Sequence, residues 1–259
     1  MLPKILKPYH IKKSNLIRLG PKKDGGYVID KRVINKTETV ITCGLNDDWN
    51  FESKFLEHND KCKVFAYDHT VDRNFWIKRF KKDLISLLLL KKLRLNKIID
   101  IFKYINYRIF FKDKNTHYIK KIVSKKKNVN QITINEILKN LKNVLLKIDI
   151  EGDEYKVLKD INKNTKKINL LIIEFHNVFK NFDKIKNFII NSDLKIIHIH
   201  ANNYSGLCKR NLPKVLEITF LNRKKFKLDN QKSRYNYPIT NLDYSNLTRK
   251  KDIKITFNE

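Results

Sequence analysis

Two acids, Asp149 and Glu151, stand at the end of a short apolar run, Val144, Leu145, Leu146, Ile148 and Ile150. That run lacks helical spacing and reads as a central strand of a parallel sheet. Gly152 lets the backbone turn, and Asp153 and Glu154 then fall where a helix from Tyr155 to Ile161 begins, a position at which the helix dipole favours carboxylates. Ligands of open α/β sheets bind beyond the carboxyl ends of the strands, so Asp149 is the first residue assigned to a site. A second run, Ile168 to Phe175, ends among Glu174, His176 and Asn177. A third, Leu194 to Ala201, carries His198 and His200 on one face of a strand, directed toward Asn202, Asn203 and Tyr204. Such a pair serves either as a metal or substrate site or as a hydrogen-bonded pair beneath a loop. Mixed carboxylate and imidazole donors with other oxygen atoms favour Mg²⁺ or Mn²⁺ over a structural zinc.

The elements that would position these groups follow from turn chemistry and periodicity. Leu16 to Ile29 reads as two extended pieces joined through Gly20-Pro21 and Asp24-Gly25-Gly26, an ordinary hairpin or a flap over a pocket. Thr39 to Cys43 is a β-branched strand that stops at Gly44, with Asn46 in the turn and a helix from about Phe51 to Glu57. Strand, glycine turn and helix open a nucleotide-binding sheet, although a single glycine is a weak form of that signal. Lys63 to Tyr67 is a second strand ending at Asp68. An acid there can accept both hydroxyls of a ribose or cap the next helix, and its spacing from Gly44 matches the ribose role. His117 to Val123 reads as the third strand, followed by a helix over Ile134 to Leu141, a helix over Phe179 to Asn191 and a last strand over Val215 to Leu221. Residues 71–116 are Lys-rich, with LISLLLL at their centre and a later aromatic run, YINYRIFF; they suggest a helical insertion that packs on its own domain, covers the site, contacts another subunit or lies on a membrane.

The stretch KIDIEGDEYKVLKDI resembles the signature of the FkbM-type S-adenosylmethionine-dependent methyltransferases, and Asp24 to Tyr27 resembles the DGGY segment of one branch of that family. The resemblance runs from Leu16 to about Phe220, apart from the insertion. It implies an α/β, Rossmann-like class I methyltransferase fold: a mostly parallel seven-stranded sheet with helices on both faces, closed by an antiparallel strand. It implies S-adenosylmethionine as cofactor, bound by Gly44, Asn46, Asp68, Asp149, Gly26 and Tyr27. A hydroxyl acceptor needs His176 or His198 as base beside Asp149, or a cation that lowers its pKa. By analogy with the metal-dependent O-methyltransferases, Asp149, Glu174, His176 and His200 would hold Mg²⁺ or Mn²⁺. Family members commonly methylate sugars and other small hydroxylated metabolites, so the expected acceptor is a sugar or nucleotide-activated sugar of capsular or other surface polysaccharide.

A chain of 259 residues suits a single domain, with an N-terminal segment over 1–35, the insertion and a polar tail over 225–259 that is expected to be poorly ordered in part. The formal net charge is +29, with 56 Lys and Arg against 27 Asp and Glu. Heavy use of Lys, Asn and Ile with little Gly or Pro is also what an AT-rich coding sequence produces. Two other classes stay open: an RNA methyltransferase, although no RNA-binding module is visible, and a non-catalytic interaction protein that keeps the fold. Three scattered cysteines match no metal spacing and suggest reduced thiols in the cytoplasm. No apolar stretch reads as a signal or a membrane span, which leaves peripheral membrane contact and homo-oligomerisation as expectations.

Overall fold

The computed structural model describes residues 1–88, 102–208 and 211–258. Its centre is a seven-stranded sheet. The strands are β3 (Thr39–Cys43), β4 (Lys63–Tyr67), β5 (Thr116–Ile119), β8 (Val144–Ile148), β9 (Ile168–His176), β10 (Leu194–Ala201) and β11 (Val215–Asn222). They lie in the order β10-β11-β9-β8-β3-β4-β5. β3, β4, β5, β8 and β9 are parallel, whereas β11 runs antiparallel to both β9 and β10. Every residue of β3 and β8 is buried, as expected of β-branched and leucine-rich strands covered on both faces. Chain order reverses between β3 and β8, and that reversal opens a crevice at their carboxyl ends.

Outside the sheet, β1 (Leu16–Leu19) and β2 (Tyr27–Asp30) form the expected antiparallel hairpin. The third strand is shorter than the sequence predicts: β5 ends at Ile119, and β6 (Ile122–Val123) pairs instead with β7 (Gln131–Ile132). Helix α1 (Asn50–His58) buries Phe51 and Phe55. Helices α2 (Arg73–Leu88) and α3 (Lys103–Phe110) make up the described part of the insertion; the remainder of LISLLLL lies outside the described residues. The helix predicted over Ile134 to Leu141 is a single turn, α4 (Ile134–Ile137), held by a Thr133–Glu136 capping box. Leu138 already leaves helical geometry there. Helix α5 (Glu154–Lys163) buries Val157, Leu158 and Ile161, and α6 (Phe182–Ile190) buries Ile185, Phe188 and Ile189.

The C-terminal tail corrects an expectation. Phe226, Tyr237, Ile239 and Ile255 join the main core. Leu2 donates to the Thr256 carbonyl and Asn258 donates to that of Leu2. Apolar residues too widely spaced to show a period still anchor an irregular segment, and Asp243 and Asn246, both buried, bind partners on the sheet.

Candidate active site

The crevice is built on the turn after β3. Gly44 has φ +82°, and a Cβ there would sit 1.6 Å from the carbonyl oxygen of Asp149. Only glycine allows the two strand ends to approach so closely. The Asp149 amide donates to Cys43 O at 2.8 Å, and the Gly44 amide donates to Tyr67 O at 2.9 Å. A cavity of about 460 Å³ opens here, walled by Gly44, Asn46, Asp68, Phe75, Val123 and Asp149 among others. A second, of about 290 Å³, shares Gly44, Asn46 and Asp149 with it and adds Asp24, Tyr27 and Lys147. Asp149 stands at the junction. Its Oδ1 is buried without a hydrogen-bond partner, and burial pushes its carboxyl up to about 7, against the pull of His176 and Lys147.

Around Asp149 the chain after β8 brings Glu151 and His176 together. One donor atom from each of these three residues lies within 4.8 Å of the others, a spacing that can hold a metal ion. Glu151 takes φ +52°, an uncommon conformation for a glutamate, so the turn holds that carboxylate at some cost in strain. Glu154 is buried at the start of α5, where its Oε1 accepts the His176 amide at 2.6 Å and its Oε2 accepts that of Gly152 at 2.8 Å. The Tyr155 hydroxyl donates to His176 O at 2.6 Å. These bonds fix the end of β9, placing His176 Nε2 3.4 Å from Glu151 and 3.7 Å from Glu174. Burial opposes the charge on His176, but Glu154, Asp149 and Glu151 outweigh it and raise the imidazole pKa. Glu174 accepts from Asn202 at 3.0 Å; burial, then the neighbouring Asp149 and Glu217, push its carboxyl well above the usual range.

The remaining sequence-predicted residues separate into groups. Asp68 lines the larger cavity, but its carboxylate is engaged: Oδ2 accepts the amides of Leu45 and Asn46 at 2.8 Å, and Oδ1 accepts the amide and hydroxyl of Thr70 at 2.7 Å. With four lone-pair positions filled, it receives a ribose hydroxyl only by releasing a present partner such as the Thr70 hydroxyl. Burial alone would raise its pKa, yet these bonds lower it. Tyr27 lines the second cavity, whereas Gly26 faces Pro21 O and the Arg18 guanidinium, where a Cβ would meet them at 2.2 and 2.7 Å.

The two histidines of β10 stand apart from this cluster. His198 is buried with Nε2 3.0 Å from Asp243, so the nitrogen expected to act as a general base is engaged by a carboxylate of the tail instead. His200 Nδ1 faces Glu217 at 3.2 Å and Nε2 faces Asp252 at 3.0 Å. Both ring nitrogens are therefore engaged, which removes His200 from the expected ligand set. Sequence reasoning left Glu151 and Glu154 out of the site; the acids packed after a buried strand were the available signal. It also missed the buried Lys147–Glu52 pair at 3.0 Å, which nothing in the local sequence joins.

Strand order, the lone antiparallel β11 and a cofactor-sized cavity at the reversal of chain order define a class I methyltransferase fold. A family model described as "Methyltransferase FkbM domain" matches residues 20–206. The chain belongs to that family and is an S-adenosylmethionine-dependent methyltransferase. No curated protein matches it. Among solved structures it is similar to a fibrillarin pre-rRNA processing protein of Methanococcus jannaschii, at 10% identity and TM-score 0.39, over 73% of this chain and 67% of that one. It is also similar to a precorrin-6y C5,15-methyltransferase of Geobacter metallireducens, at 9% identity and TM-score 0.36, over 74% and 87% of the chains. A third is a SAM-dependent methyltransferase of Aquifex aeolicus, at 11% identity and TM-score 0.34, over 74% and 87%.

The crevice fits the cofactor. Its volume lies in the range of small-molecule sites, Gly44 leaves room for backbone approach, and Tyr67, Phe75, Ile122 and Val123 offer an apolar wall beside the acids.

Proposed function

We propose that this protein O-methylates a sugar or nucleotide-activated sugar, with a divalent cation held by Asp149, Glu151 and His176, in the assembly of a surface polysaccharide. The observation that carries the reading is Asp149, whose partnerless buried oxygen stands where the two cavities meet, beside two further donor groups. When bound in the larger cavity, S-adenosylmethionine supplies an electrophilic methyl group. The protein's own residues have three tasks. Gly44, Asn46 and the wall around Phe75 seat the cofactor. The second cavity, lined by Lys23, Asp24, Asp48 and Lys147, offers donors and acceptors suited to a polyhydroxylated acceptor. Asp149, Glu151 and His176 would hold Mg²⁺ or Mn²⁺ and so orient the acceptor hydroxyl, whose pKa the bound cation would lower, with a carboxylate oxygen of Asp149 or Glu151 left to take up the proton. Alignment of the reacting atoms contributes much of the rate in such displacements.

Release of S-adenosylhomocysteine is the readout, measured over a panel of nucleotide sugars before and after dialysis against EDTA. Turnover on a nucleotide sugar that EDTA abolishes and Mn²⁺ restores is the expected result. Turnover indifferent to EDTA retires the cation, and turnover confined to RNA retires the sugar.

A further inference from the structure

Helices α2 and α3 turn apolar side chains toward solvent. Ile77, Phe80, Leu84 and Ile85 on α2, with Phe102, Ile105 and Ile109 on or beside α3, are between 37% and 65% exposed. The pattern is organised. At 100° per residue, Ile77, Phe80 and Leu84 fall within about 60° of arc on α2. On α3, Phe102, Ile105 and Ile109 fall within a similar arc, facing away from the buried Tyr107. Lys81 on α2 and Arg108 and Lys112 by α3 are exposed and lie within about 90° of the stripe centres, while the exposed Lys78 and Lys82 lie toward the opposite side of α2. Over residues 73–88 and 102–112 the sequence has eight Lys or Arg and one acid. The core sides of the two helices meet through Trp76, which lies 5.0 Å from Tyr107 and 5.5 Å from Tyr104. Asp47 fastens both helices to the site, because Arg79 and Lys103 reach it at 2.6 and 2.9 Å and all three line the second cavity.

We propose that this face of α2 and α3 is a docking surface for an anionic lipid bilayer. An apolar stripe flanked by Lys and Arg is the pattern of a helix lying in the headgroup layer, with its apolar side chains at the acyl boundary and its cations on acidic headgroups. The charge complementarity selects the occupant, since a second copy of this chain brings the same positive flanks and would be repelled. The inference stands on the insertion alone, independent of the acceptor and cation proposed above.

The test is co-sedimentation of the intact protein with vesicles of phosphatidylcholine, with and without phosphatidylglycerol, at low and high salt. Binding to the phosphatidylglycerol vesicles alone is expected, and it weakens as salt rises. Two variants, Ile105→Glu/Ile109→Glu and Lys81→Glu/Arg108→Glu, each lower the partition at least about tenfold with an unchanged thermal midpoint. If the isoleucine variant does not fold, the Lys81→Glu/Arg108→Glu variant, altered only at exposed charges, decides. No binding, equal binding to both vesicle types or binding indifferent to both variants overturns the proposal. So does a shift from dimer to monomer in the isoleucine variant without lipid, which assigns the face to a second copy, or displacement of the protein from vesicles by stoichiometric RNA.

Discussion

Asp149 is costly where it stands. A carboxylate with one buried, partnerless oxygen destabilises the fold unless something at the site compensates, and such residues concentrate where chemistry is done. Asp149→Asn keeps the shape but removes the charge. Turnover is expected to fall by roughly 10²-fold or more, while the thermal midpoint holds or rises because the buried charge is gone. Rate and calorimetry on one preparation check both, and a clear drop in midpoint would mark Asp149 as structural. Gly44 makes a complementary case. In Gly44→Ala the new methyl would lie 1.6 Å from Asp149 O, on a backbone at φ +82°. The strand ends must separate, so titration with S-adenosylhomocysteine is expected to give no heat and the urea midpoint is expected to fall.

At the scale of elements, the crevice rests on a buried ion pair spanning β8 and α1. Lys147 Nζ lies 3.0 Å from Glu52 Oε1, which also accepts the Thr42 hydroxyl at 2.5 Å. The ammonium sits 5.3 Å from the Tyr27 ring and 5.5 Å from that of Phe51. Burial opposes its charge, but Glu52 outweighs this and raises its pKa. Removing one partner leaves an uncompensated buried charge. Lys147→Met should therefore cost about 3–5 kcal/mol of stability, and adding Glu52→Gln should recover most of it. Urea unfolding of both single variants and the double variant measures the coupling; additive losses would show that the pair is not an energetic unit.

Across the whole molecule, the tail is bound to the sheet by charge as well as by its apolar anchors. His200 connects β10 to Glu217 on β11 and to Asp252 of the tail. Burial works to lower the His200 pKa, but Asp252 and Glu217 overcome it and raise the pKa to about 10. A histidine whose pKa is raised on folding contributes stability that is complete below its unfolded value of 6.5 and is lost as pH climbs through about 10. The urea midpoint of the wild type should thus decline between pH 6.5 and 10. His200→Gln should start lower and decline less over that range. A parallel decline in the two proteins would mean that another group controls it.

What the sequence determined is what depends on near neighbours along the chain. Strands β3, β4 and β10 begin and end where the sequence places them, because the β-branched and apolar residues that dominate each are neighbours along the chain. Gly44 and Asp149 are legible because a turn that needs glycine and an acid at a strand end are local statements. The family signature is local too. Only the tertiary structure decided which distant groups meet. It joined Glu151 and His176 to Asp149, assigned His198 and His200 to Asp243 and Asp252 instead of a metal, and paired Lys147 with Glu52. It also folded a tail with no period onto the core. A side chain's partner is set by sheet order and by segments far away in sequence, and a charge or imidazole looks the same along the chain whether it is destined for a ligand or for a salt bridge.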